Sequence, residues 1–332
     1  MKIAHWCTTI EGMAGLTHRV REMIEIEKEF GHDSRVLSTS FKDGKKQETI
    51  AFESWTWAEQ SDVVNVIDSH VPINFDNLHN RVFITHGAPY HCATSEMFGK
   101  THPLATSILM VQQCELTITW NPHHAPIWKE FGGNVKTIIG GVDLKKWTPE
   151  GPKVPFVSHP TIVVLDTPRD NKLPTQIPFA LMKVHREIPS LRFEWIAIPQ
   201  QMYPFWMLIV KAIGIDTFTH AVPYAVSNPA DYYRGADLII HPVSSGSIGG
   251  VGLEALACGC PVMIFEGEDE KECSAKCREF DCEDMAAKII DVWERTKKDP
   301  NGIRREARLI AERNYDLRRS VKEMIAAYEE LL

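Results

Sequence analysis

The chain lacks any apolar run of membrane-spanning length. Its longest, Phe205 to Val210, falls far short of the ~20 residues that a spanning helix needs. That run reads as a core or partner-facing segment, and no transmembrane segment is predicted. Basic residues are not in excess either: 36 Lys and Arg against 44 Asp and Glu leave a net charge of −8. This balance excludes a protein that grips nucleic acid through a broad basic face. Residues Met1 to Trp6 run straight into strand-like sequence without the charged region, apolar core and cleavage site of a secretory leader, which predicts a cytoplasmic location. Without a leader, the eight cysteines predict reduced thiols rather than a disulfide scaffold. Paired CxxC knuckles are missing as well. Cys258 with Cys260, and the trio Cys273, Cys277 and Cys282, have spacings that suit no common zinc site, so no metal site is predicted.

What the chain has is length for two domains, and an alternation of strand-like and helix-like segments in both halves. Ile3-Ala4-His5-Trp6 reads as a first strand, followed by a turn with Gly12 and Gly15. A helix follows, carried by Val20, Met23, Ile24 and Ile26 and closed at Phe30-Gly31. Strands are predicted at 35–37, 62–67, 81–85 and 116–119, and Lys136-Thr137-Ile138-Ile139 then leads into Gly140-Gly141-Val142-Asp143. Parallel strands covered on both faces by helices account for such apolar runs.

A stretch rich in Pro and Gly, from Pro149 to Pro160, marks the domain boundary. The predicted division is 1–150 for an N-terminal acceptor-side domain and 151–312 for a C-terminal nucleotide-binding domain. A final helix at 313–332 is expected to pack back on the first domain. The second half again alternates, with strands at 161–165, 192–197, 236–240 and 261–264, and helices from about Met285 onward. The expected class is α/β with two Rossmann-like parallel-sheet domains, and open sheets of this kind bind ligands outside the carboxyl ends of their strands.

The richest segment runs from Tyr232 to Val262: a strand ending Ile239-Ile240-His241-Pro242, a Gly-rich loop, a helix beginning near Gly250, a Gly turn and another strand. Backbone N–H groups in such a loop can approach an anion at a helix N-terminus, where the helix dipole also favours negative charge. Glu254, one turn into that helix, can accept paired ribose hydroxyls. The same residues also describe a purely structural βαβ unit.

Here the chain resembles the donor-binding half of the retaining GT-B glycosyltransferases of family 4. Ile139-Gly140-Gly141-Val142-Asp143 with Trp147 and Pro149 is similar to the family's interdomain signature, and Thr167-Pro168-Arg169-Asp170-Asn171-Lys172 to its strand-end Arg and Lys motif. The resemblance implies two Rossmann-like domains facing a central cleft and a nucleotide diphosphate sugar, UDP- or GDP-linked, as donor. It further implies transfer to a hydroxyl acceptor with retention, and no required cofactor or metal, in keeping with the lack of an Asp-x-Asp motif. It makes Gly12, Gly15, Arg169, Lys172, Ser247, Gly249, Gly250 and Glu254 candidate donor-binding residues. Arg169 neutralises the leaving diphosphate, and His70 and His86, at strand ends of the first half, complete the candidate catalytic set.

One departure stands out. The family's paired glutamates lie eight positions apart, and the place of the first is taken by Gly246. Carbohydrate, lipid or small-molecule acceptors all remain open, as does DNA through a viral-type DNA-base glycosyltransferase with Lys42, Lys45 and Lys46 on a phosphate-binding loop. A sugar-nucleotide-binding module without turnover and an epimerase of the same fold are the other readings. An NAD dehydrogenase is disfavoured because Gly12 to Gly15 lacks the GxGxxG spacing.

Overall fold

The computed structural model describes residues 1–7, 15–37, 55–67, 77–85, 104–166, 176–223, 226–243, 248–267 and 272–332. They divide into two compact units, Met1–Gly141 with Leu317–Leu332, and Val142–Asp316.

The first unit runs β1 (Lys2–Cys7), α1 (Gly15–Glu29), β2 (Asp33–Leu37), α2 (Trp55–Glu59), β3 (Val63–Ile67) and β4 (Arg81–Thr85). It continues through α3 (Leu104–Gln113), β5 (Leu116–Thr119), α4 (Ala125–Glu130) and β6 (Val135–Thr137). These strands form a 6-stranded sheet of order β2-β1-β3-β4-β5-β6, parallel throughout. β3 and β5 are buried at every position, as strands with helices on both faces must be. One apolar layer gathers Ile3, Met23, Ile67, Ile84 and Ile118, and the other Ala4, Val64, Val66, Phe83 and Trp128. Gly140 lies against the Trp120 ring, where an added Cβ would stand 2.2 Å from Cε3. Because an indole in this position has to be displaced, Gly140→Ala is expected to destabilise the first unit by about 1–3 kcal/mol. A denaturant midpoint equal to that of the unmodified protein would show that the ring yields freely.

The second unit runs β7 (Thr161–Leu165), α5 (Gln176–Glu187), β8 (Arg192–Ile196), α6 (Tyr203–Ala212), β9 (Thr219–Val222) and α7 (Pro229–Gly235). Then come β10 (Leu238–His241), α8 (Gly250–Ala257), β11 (Val262–Phe265), β12 (Ala275–Cys277), α9 (Cys282–Lys298) and α10 (Pro300–Asn314). Its 6-stranded sheet has the order β12-β11-β10-β7-β8-β9 and is also parallel. From β7 the chain builds outward through β8 and β9, then returns to the other side of β7 with β10. The junction of β7 and β10 is therefore the point where the strand order reverses, the place at which open α/β sheets leave a crevice. Asp281 caps α9 by accepting the Asp284 N–H at 2.9 Å, and Asp299 caps α10 by accepting that of Gly302 at 2.7 Å.

The apolar run 205–210 lies on α6. Trp206 and Val210 are buried, whereas Phe205 and Leu208 are 59% and 67% exposed. No helix among the described residues is long and apolar enough to cross a membrane.

Residues 142–150 belong to the second unit, so the division falls before the Pro-rich stretch rather than within it. Arg308 of α10 explains why: its guanidinium donates to the carbonyls of Leu144, Trp147 and Ala257 at 3.2, 2.8 and 2.7 Å. Trp147 also packs on Tyr233, with ring centroids 6.1 Å apart. The last helix, α11 (Leu317–Glu329), buries Leu317, Val321, Met324 and Tyr328 in the core of the first unit.

Candidate functional site

β7 and β10 pair in register, Leu238 with Ile162 and Ile239 with Val163, so their carboxyl ends lie side by side. The chain leaving β7 reaches Asp166, which is buried, and β10 closes on His241, which is 0% exposed. His241 Nδ1 lies 2.5 Å from Asp166 Oδ2, and Nε2 accepts the Gly249 N–H at 3.0 Å. A ring nitrogen that accepts carries no proton, so the hydrogen of the neutral imidazole sits on Nδ1, facing the carboxylate.

Gly249 is the N-cap of α8, in extended conformation, and among the described residues no side chain caps this helix. A Cβ on Gly249 would stand 2.8 Å from His241 Nε2, so only glycine admits the imidazole this closely. Gly252 is tight for a similar reason, its Cβ position lying 2.6 Å from Ile248 Cγ1. Because the Gly249 N–H is engaged by His241, the donors left to face an anion are those of Gly250, Val251 and Gly252. As the first residues of the helix they have no intrahelical acceptor, and the helix dipole adds positive potential there.

Glu254 lies one turn into α8 and is half-buried. The Tyr233 hydroxyl, from α7, donates to its Oε2 at 3.2 Å. Burial pushes the Tyr233 phenol well above its usual range, and the nearby Glu254 and Asp166 carboxylates push it further. The phenol therefore stays neutral and keeps its proton as a donor that aims the carboxylate. Asp237, in the same motif, is structural: its Oδ2 accepts the Thr161 N–H at 2.8 Å and pins the start of β7.

Gly249, Gly250 and Glu254 are thus brought together at the start of α8, while Gly15 opens α1 in the first unit. Gly12, His70, His86, Arg169, Lys172 and Ser247 lie outside the described residues. Sequence reasoning missed Asp166 and His241. The available signal was a polar residue closing an otherwise apolar strand, Leu238-Ile239-Ile240-His241. The thiols of Cys258 and Cys260 are pushed up to about 12 by burial. Cys260 Sγ donates to the Ala236 carbonyl at 3.6 Å, and no group of three or more His, Cys, Asp or Glu among the described residues is placed to hold a metal ion.

Residues 207–295, which contain Tyr233, His241, Gly249 and Glu254 but neither β7 nor Asp166, match the family model described as Glycosyl transferases group 1. D-inositol 3-phosphate glycosyltransferase of Arthrobacter sp. (strain FB24) is 41% identical over 56 residues, a stretch that spans 17% of this chain and 13% of that relative. Among solved structures, Anabaena HepE in complex with UDP superimposes with a TM-score of 0.76 at 14% identity, over 100% of both chains. WaaG, a glycosyltransferase involved in lipopolysaccharide biosynthesis, gives 0.74 at 14% identity over 99% of both chains. Sucrose-phosphate synthase of Thermosynechococcus elongatus gives 0.73 at 13%, over 99% of this chain and 98% of that one. Residues 207–295 therefore match a group 1 glycosyltransferase domain, and the chain has the two-domain, Rossmann-like GT-B fold.

Proposed function

We propose that the protein is a glycosyltransferase that takes a nucleotide diphosphate sugar as donor and passes the sugar to a hydroxyl acceptor, with retention and without a metal ion. The observation that carries the reading is Glu254, aimed by Tyr233 beside the uncapped start of α8 and inside the family-matched segment. In this reading Glu254 accepts the two ribose hydroxyls, and the N–H groups of Gly250, Val251 and Gly252 receive a phosphate. Ser247 adds a hydroxyl to the same loop. Arg169, three residues beyond Asp166 in the chain, stabilises the diphosphate as it leaves, with Lys172 beside it. Gly12 and Gly15 leave room for phosphate or sugar, and His70 and His86 hydrogen-bond the sugar or the acceptor. Neighbouring structures hold UDP, UDP-glucose and ADP, which supports a nucleotide diphosphate sugar, UDP- or GDP-linked, as donor.

A second reading is favoured by one sequence feature, Gly246 in place of the expected glutamate: a module that binds the donor without turning it over. A thermal-shift screen separates the two when followed by turnover assays, because a ligand that binds only the folded state raises its stability, by about 2.7 kcal/mol at a hundred times Kd. A UDP- or GDP-sugar is expected to give the largest shift. Transfer to an acceptor from a panel of sugars, lipids and hydroxymethylated DNA is then expected to follow. Donor binding with neither transfer nor hydrolysis supports the binding module, release of free nucleotide without acceptor supports an epimerase, and no shift with any nucleotide sugar overturns the proposal.

A further inference from the structure

His241 has a role that neither the family match nor the donor motif assigns. Its ring is wholly buried at the β7–β10 junction, held on one side by Asp166 and reaching on the other to the backbone N–H of the residue that starts α8. A helix of this length needs something to fix its entry, and among the described residues no capping side chain does so. We propose that His241 is the positioning residue of the α8 N-terminus: Asp166 sets its tautomer and orientation, and through Gly249 it fixes where the α8 N–H groups and Glu254 point. This rests on the reading of the second unit as the donor-binding unit.

The geometry admits one protonation state. Nε2 must present its lone pair to the Gly249 N–H. Protonation there sets one N–H against another, and the contact is lost while the Asp166 side keeps its attraction. Asp166, after β7, is the carboxylate beside the ring, and together with Glu254 of α8 it acts on the Tyr233 phenol of α7. Protonation of Nε2 therefore unfastens the start of α8 and weakens donor binding through a group that does not touch the donor.

Two substitutions separate positioning from packing. His241→Phe keeps a ring of similar size but has no acceptor. His241→Gln places Oε1 near the Nε2 position and does not titrate. In ligand-free protein, His241→Phe is expected to speed hydrogen exchange at the Gly249 amide about tenfold, the worth of one hydrogen bond. UDP affinity, read by calorimetry, is expected to fall by a similar factor. KM for the donor then rises while kcat changes little.

His241→Gln is expected to recover most of the affinity and to lose the weakening that the unmodified protein shows on going from about pH 8 to 5. The terminal phosphate of UDP titrates equally in both proteins, so the difference between their profiles is the readout. Unchanged Gly249 exchange in His241→Phe overturns the inference, as does a pH profile of His241→Gln that follows the unmodified one. If His241→Phe does not fold, the His241→Gln profile decides. If neither UDP nor GDP binds the unmodified protein while Gly249 exchange responds as described, the donor reading fails and the anchor stands.

Discussion

Glu254→Ala is expected to weaken UDP or GDP binding about a hundredfold, from the loss of two hydrogen bonds to a charged acceptor at about 1.5–3 kcal/mol each before partial compensation by water. The carboxylate is half-buried and has the Tyr233 hydroxyl as a fixed donor. It therefore needs little reorganisation to meet the ribose, and its removal is felt in affinity. The same change leaves the buried Tyr233 hydroxyl without its acceptor, which costs about 1–3 kcal/mol of stability. The double variant Tyr233→Phe with Glu254→Ala separates these effects. It is expected to regain stability without regaining affinity, because two apolar partners of similar shape cost less than one orphaned donor. Calorimetry that finds unchanged nucleotide affinity in Glu254→Ala removes this residue from the site.

Arg308→Ala is expected to lower the stability of the second unit by about 3 kcal/mol, or roughly 8 °C in Tm for a unit of this size. One guanidinium holds three carbonyls from two stretches of backbone, those of Leu144 and Trp147 after the start of the second unit and that of Ala257 at the end of α8. Its charge also lies at the negative end of the α8 dipole. Arg308→Lys is expected to recover little, since a single ammonium cannot span the fork. Differential scanning calorimetry checks this, and a Tm within about 2 °C of the unmodified protein means that water replaces the guanidinium at little cost.

The parallel strands were legible because they are largely apolar runs between polar residues. Val63–Ile67, broken only by Asn65, and Thr161–Leu165 are stretches that a doubly covered sheet both requires and reveals. The edge strands of the second sheet were not. β9 is Thr-His-Ala-Val with only its last residue buried, and β12 is Ala-Lys-Cys. Each lies at an edge of its sheet, where one flank needs no neighbour and little apolar sequence is demanded. Within the site, Glu254 was legible because it lies in one local motif with its glycines. His241 was in view within that motif, but its meaning depends on Asp166, which arrives from β7 and is adjacent only through strand pairing. No spacing rule links residues brought together by a crossover.

The last helix has a consequence for how the chain is made. The second unit is inserted in the first: the chain enters it at Val142 and leaves at Asp316, and Val142 N–H donates to the Tyr315 carbonyl at 2.8 Å, so the two ends of the insertion are tied to each other. Leu317, Val321, Met324 and Tyr328, all wholly buried in the first unit, are translated only after the second unit. During synthesis the second unit can therefore close while the first still awaits a wall of its core, and the unit whose strands are made first is completed after the one inserted in it.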